Sequence, residues 1–83
     1  MAKLRITIVQ SHIYWDSPVK NISQFEAKLS DAHPTDLIIL PELFNTAFSV
    51  TNEGESMSGE TIQWMLSLAA KNKAVVLGSL IIK

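Results

Sequence analysis

Three short apolar runs, separated by two segments of helical period, constrain this 83-residue chain more than any other feature. In the first run, "LRITIVQ", Leu4, Ile6 and Ile8 alternate with Arg5 and Thr7 before Val9. That period of two, rich in β-branched residues, predicts a strand over residues 3–10. The second run, "LIIL" within residues 36–40, lacks alternation, as expected of a strand covered on both faces. The third, "AVVLGSLII", predicts a strand over residues 74–82, and Gly78 within it predicts a bulge or a close backbone approach.

Between the first two runs, "SHIYWDS" reads as a loop. Ser17 followed by Pro18 then fits an N-cap with proline at the first helical position, where its missing N–H costs nothing. Val19, Ile22, Phe25 or Glu26, and Leu29 recur at helical spacing, predicting a helix to Ser30, and Pro34 disfavours helix at His33. Ile62, Met65, Leu66 and Ala69 stand at i, i+3, i+4 and i+7, predicting a second helix over residues 59–72 with Ser58 as its N-cap. Residues 43–58 hold no sustained period and read as a long loop of the kind that carries function. The order, with crossovers long enough for parallel pairing, predicts an α/β fold built on a parallel β-α-β-α-β unit.

A hydrophobic content of 47% is high for a chain this short, because small domains leave much of their surface in water. Some of that apolar surface is expected to meet material outside these 83 residues. The sequence stops directly after its third apolar run, leaving a sheet edge without cover. Residues 1–83 are therefore expected to be the incomplete N-terminal part of a single larger domain.

Seven Lys and Arg against eight Asp and Glu give a net charge of -1, and the basic residues are scattered. That balance carries no footprint for nucleic acid. With no cysteine there is no disulfide and no thiolate metal site, and His12 and His33 lack a ligand spacing, so neither a metal nor a cofactor is expected. The N-terminal apolar residues alternate instead of forming a signal-peptide core, and no apolar run approaches the roughly 20 residues of a membrane helix. A cytoplasmic protein without a membrane partner is expected.

The turn after the first strand, "QSHIYWDS", contains no glycine, which excludes a dinucleotide fingerprint and a P-loop. Chemistry is instead suggested by "IILPELFNTAFS", where Glu42 follows the second strand. One reading of Glu42 is a solvated strand-end carboxylate. The other is a general base: ligands of open α/β sheets collect at the carboxyl ends of strands, and Pro41 stiffens the backbone there. Leu43, Phe44 and Phe48 would take the carboxylate partly out of water. Asn45, Thr46 and Phe48, just beyond, are candidates to bind substrate by shaping its pocket, although bonding of Asn and Thr to nearby backbone explains the polar pair equally well. His12 and His33 are acid-base candidates without a committed partner. Trp64 and Met65 belong to a helical stripe and read as core rather than, with Met57, as a cofactor pocket. Tyr14 and Trp15 either cover a core edge or line a pocket, and packing is the favoured expectation.

"DLIILPELFNTAFS" resembles the segment of the nitrilase, or carbon-nitrogen hydrolase, superfamily in which a Pro-Glu pair follows the second strand and the Glu belongs to a Glu-Lys-Cys triad. Three further stretches resemble the omega-amidase branch: "LRITIVQ", the "YWD" loop with Asn21 in the following helix, and "MSGETIQWM" leading to "VVLGSLIIK". The resemblance implies that the β-α-β-α-β unit is the first part of a four-layer α-β-β-α sandwich that assembles as a homodimer. It also implies hydrolysis of the terminal amide of a small dicarboxylic acid monoamide, such as a 2-oxo acid amide, through a thioester.

Only the glutamate of that triad maps onto this sequence, at Glu42. The cysteine is absent, and the family's lysine lies farther along than Lys83, which is expected to be an ordinary strand-end charge. Lys3, Lys20, Lys28, Lys71 and Lys73 are expected to be solvated. The 83 residues alone are therefore expected to be inert. The alternative, from a different class, is a non-enzymatic module whose apolar sheet edge binds a partner chain.

Overall fold

The computed structural model describes residues 2–30, 34–49 and 54–83. Its elements follow the predicted order: β1 (Ile6–Ile8), α1 (Pro18–Leu29), β2 (Leu37–Ile39), α2 (Glu60–Asn72) and β3 (Val75–Leu77). The strands form one sheet in the order β1-β2-β3, and both pairs are parallel. Ile6, Leu37 and Val75 share one rung, and Ile8, Ile39 and Leu77 share another.

Each regular strand is shorter than the sequence predicts. Single bonds carry the ladder a little farther, from the Val9 N–H to the Ile39 carbonyl (3.0 Å) and from the Leu40 N–H to the Leu77 carbonyl (2.8 Å). Pro41 comes next in β2's path and has no N–H to donate, so the ladder cannot continue. Beyond Gly78 the chain pairs elsewhere, through a parallel bridge between Glu55 and Ile82.

Helix α1 starts as predicted, with Ser17 at the N-cap and Pro18 inside the first turn, but the Ser17 side chain makes no cap bond. Its backbone carbonyl accepts the Asn21 N–H at 3.1 Å. The N-cap of α2 is Gly59, not Ser58. Here Glu55 supplies the missing acceptors: Oε1 takes the N–H groups of Thr61 (2.7 Å) and Ile62 (3.3 Å), and Oε2 takes the Thr61 hydroxyl (2.7 Å). A carboxylate at a helix N-terminus also meets the positive end of the helix dipole.

The core lies between the helices and one face of the sheet. Val9, Ile38 and Leu40 meet Phe25 and Leu29 of α1, Trp64 and Leu68 of α2, and Phe44 from the loop after β2. Phe25, Phe44 and Trp64 form a triangle of rings with centroids 5.9–6.3 Å apart. On α1 the inward residue is Phe25, not Glu26, and Val19 is exposed. On α2 the buried face is Thr61, Trp64 and Leu68, with Met65 half-buried, while Leu66 faces solvent. The predicted stripe was rotated because Thr61 and Trp64 enter the interior with polar partners: Thr61 bonds Glu55, and the Trp64 indole N–H donates to Glu26 on α1.

Side chains of Ile6, Ile8, Leu37, Ile39, Val75 and Leu77 alternate to the other face of the sheet. Ile8 is 64% exposed and Val75 65%. Among the described residues, β2 is thus covered on one face only, whereas its sequence predicts cover on both.

Candidate active site at the carboxyl end of the sheet

Because all three strands are parallel, their carboxyl ends lie together, and Glu42 stands there three residues past the end of central strand β2. It is exposed, and its carboxylate has no hydrogen bond or ion pair among the described residues. The backbone on either side of it is held firmly. Leu40 is bonded to β3 through its N–H, Pro41 restricts its own φ, and Leu43 adopts a left-handed φ of 47°. For a leucine that conformation costs roughly 1–2 kcal/mol and needs support from its surroundings.

That support is visible. The Leu43 N–H donates to Ser79 Oγ at 2.9 Å, and the Leu43 carbonyl accepts the Ala47 N–H at 2.9 Å. The turn directs Phe44 into the aromatic triangle, where it is fully buried. The apolar shield expected around Glu42 is therefore not formed by the described residues: Phe44 belongs to the core, Leu43 is half-buried, and Phe48 is 60% exposed.

Asn45 and Thr46 are buried beneath the turn. Asn45 Nδ2 donates to Thr61 Oγ1 (3.2 Å), and the Thr46 hydroxyl donates to the Ala47 carbonyl (3.1 Å). The Thr46 carbonyl accepts the Asp16 N–H at 2.9 Å. Asn45 Oδ1 is buried without a partner among the described residues. Of the four site residues predicted from sequence, only Glu42 and Phe48 reach the surface. A depression of about 410 Å3 opens beside Pro41, between Ile8, Gln10 and Ser11 on one side and Ile39 and Leu40 on the other.

Three residues that hold this end of the sheet were not recognised as such in the sequence. Asn21 is fully buried; its Nδ2 donates to the carbonyls of Tyr14 and Asn45, both at 2.8 Å, and its Oδ1 accepts the Tyr14 N–H at 2.7 Å. Glu55 joins the same network through Thr61. Ser79 acts on Leu43. An acid four residues ahead of a predicted helix was the one available signal, for Glu55. Nothing local marks Ser79.

Other candidates separate from the site. His12 is exposed and meets Tyr14 edge-on at 5.1 Å, while His33 lies outside the described residues. Tyr14 and Trp15 do not cover a core edge: they are 41% and 64% exposed, and Lys20 Nζ sits 5.7 Å from the Tyr14 ring centroid. Met57 is exposed, and Trp64 is core as predicted. Lys83 is exposed at the far end of the chain, where its N–H donates to the Glu55 carbonyl. No group of three or more metal-ligating side chains occurs among the described residues, and no helix there is long and apolar enough to cross a membrane.

The main charge interaction lies at the opposite, amino end of the sheet. Arg5 grips Asp36 with Nε (3.2 Å), a terminal guanidinium nitrogen (3.1 Å) and its backbone N–H (2.8 Å). Hydrogen bonds from the Arg5 side chain and backbone hold the Asp36 carboxyl below its ordinary range.

The parallel β-α-β-α-β unit matches part of a CN-hydrolase superfamily fold. The whole chain superposes on XC1258 from Xanthomonas campestris, a CN-hydrolase superfamily protein with an arsenic adduct in its active site, at a TM-score of 0.93 and 36% identity, covering 32% of that chain. The family model for carbon-nitrogen hydrolases matches residues 5–83, and the chain belongs to that family. It is similar to the Omega-amidase YafV of Yersinia enterocolitica (31% identity over 81 residues) and of Escherichia coli K12 (29% over 80 residues). In both cases 95% of this chain is matched, and it spans 31% of the relative's length.

Proposed function

We propose that Glu42 is the general base of an amidohydrolase that cleaves the terminal amide of a small dicarboxylic acid monoamide, such as a 2-oxo acid amide. The observation that carries this reading is the exposed Glu42 carboxylate at the carboxyl end of β2, in a chain whose family is carbon-nitrogen hydrolase. The omega-amidase names of its relatives favour the substrate class.

The chemistry follows the family's triad. Glu42 takes the proton of a cysteine thiol, and the sulfur attacks the amide carbonyl. A lysine ammonium stabilises the tetrahedral oxyanion. The intermediate collapses, breaking the C–N bond, and Glu42 returns the proton so that ammonia departs. Water, deprotonated by Glu42, then attacks the thioester, releasing the carboxylic acid and the thiol. These 83 residues contain no cysteine, so they supply the base and not the nucleophile. Phe48 borders the substrate at the surface, while Asn45 and Thr46 shape the pocket from beneath.

In the intact protein the apolar sheet face meets a second sheet, giving the four-layer sandwich of a cytoplasmic homodimer. Six apolar side chains on one face that the described residues leave uncovered support that layer. The reading is tested by incubating the intact protein with 2-oxo acid monoamides of four and five carbons, assaying ammonia, and trapping the acyl group with hydroxylamine. Ammonia release with hydroxamate formation is expected; ammonia release without any trappable acyl group contradicts the thioester route.

A second reading rests on a different observation. The β1 edge is open among the described residues, and a groove of about 480 Å3 runs beside it between residues 5–10 and Lys28, Leu29 and Pro34. A module that binds a partner strand at this edge uses the same exposed backbone. It predicts a stable complex with an extended peptide and no amide hydrolysis by the intact protein.

A further inference from the structure

We infer that Ser79, with Gly78 beside it, is a positioning residue for Glu42: the end of β3 sets where the proposed base points. This rests on the reading of Glu42 as the base. The Glu42 carboxylate has no bond of its own among the described residues, so the place from which it reaches out is set by its backbone. On the N-terminal side that backbone is tied to β3 by the Leu40 N–H bonded to the Leu77 carbonyl (2.8 Å). On the C-terminal side it is tied to the segment just past β3, by the Leu43 N–H bonded to Ser79 Oγ (2.9 Å). Two anchors two residues apart, at the last residue of β3 and just past it, therefore bracket the Pro41-Glu42 pair.

The second anchor holds a strained residue. Leu43 is left-handed (φ 47°), and a side chain relaxing from that region would swing the preceding Glu42. Gly78 completes the seat. A Cβ there would stand 2.9 Å from Phe44 Cε1, 3.0 Å from Phe44 Cδ1 and 3.3 Å from Leu40 Cβ. Phe44 is fully buried between Phe25 and Trp64 and has nowhere to retreat. The glycine therefore lets β3 approach the turn closely enough for the next residue, Ser79, to reach the Leu43 N–H.

Ser79 is exposed and is not a member of the core cluster, so its substitution separates positioning from stability. The test is made in the intact protein with Ser79→Ala and Ser79→Thr, the latter keeping the hydroxyl. Two quantities are read: turnover of a 2-oxo acid monoamide, and hydrogen exchange of the Leu43 amide. Ser79→Ala is expected to lower kcat by about 10- to 100-fold, the effect of a small misplacement of a catalytic group, with KM nearly unchanged. Leu43 exchange is expected to accelerate at least about tenfold, and Ser79→Thr restores both.

Unchanged Leu43 exchange in Ser79→Ala overturns the anchor whatever reaction the protein performs. Faster exchange with unaltered kcat overturns the positioning role. If Glu42→Gln retains full turnover, the reading of Glu42 as base is what has failed, and the role of Ser79 in aiming it falls with that reading, while the exchange result still decides the anchor.

Discussion

The side-chain amide of Asn21, in the first turn of α1, donates to the carbonyl of Asn45, three residues past Glu42, at 2.8 Å. Because Asn21 also bonds both backbone groups of Tyr14, it ties the loop before α1 to the loop after β2. Asn21→Ala leaves the Asn45 carbonyl and the Tyr14 groups without that partner, and is expected to cost about 2–4 kcal/mol. Asn21→Asp is no substitute, since it removes both donors. Urea unfolding of the intact protein checks this through a lower midpoint at constant slope.

Gly78→Ala is expected to destabilise by about 1–3 kcal/mol, since the new methyl overlaps the Phe44 ring in a filled core. Phe44→Leu made in the Gly78→Ala background should cost less than the sum of the two single changes. A double-mutant cycle on unfolding free energies measures that coupling, and strict additivity would argue against contact.

The grip of Arg5 on Asp36 makes a pH-dependent contribution to stability. The folded carboxyl titrates below its unfolded value of about 3.9, so the contribution is fully present above that value and is lost as pH falls through the lower folded value. In Arg5→Ala the Asp36 titration should move up toward the ordinary carboxylate range, with the backbone N–H of residue 5 still holding it partly down. A carboxyl NMR titration of both proteins reads the difference directly.

The helix starts and the parallel order were legible because their signals are local: Pro18 behind Ser17, and apolar runs spaced for crossovers. The position of Glu42 just past the second strand was legible for the same reason, since it stands beside Pro41 at the end of "LIIL". What was hidden is what holds Glu42 in place. The Asn21 to Asn45 bond spans 24 residues and the Leu43 to Ser79 bond spans 36, distances at which no local pattern reports a partner. The buried face of α2 was misjudged for a related reason. Trp64 was expected in the core, but Thr61, a polar residue outside any apolar template, is admitted to the interior by Glu55, which lies in the loop before α2.

Six apolar side chains on the open sheet face should govern association. The 83-residue chain alone is expected to self-associate, and Leu77→Lys with Ile8→Lys should reduce this in light scattering. In the intact protein the same pair should lower thermal stability sharply, because there the face is proposed to be covered by a second sheet. Substitutions harmless in both settings would argue against that layer.

The most direct test of the account is the rate of ammonia release from a 2-oxo acid monoamide by the intact protein and its Glu42→Gln variant. Glu42 is exposed and bonded to nothing among the described residues, so the substitution should leave the fold intact. A loss of at least about 100-fold in kcat at unchanged thermal stability is the predicted result. A variant that turns over at the parent rate would contradict the assignment of Glu42 as the base.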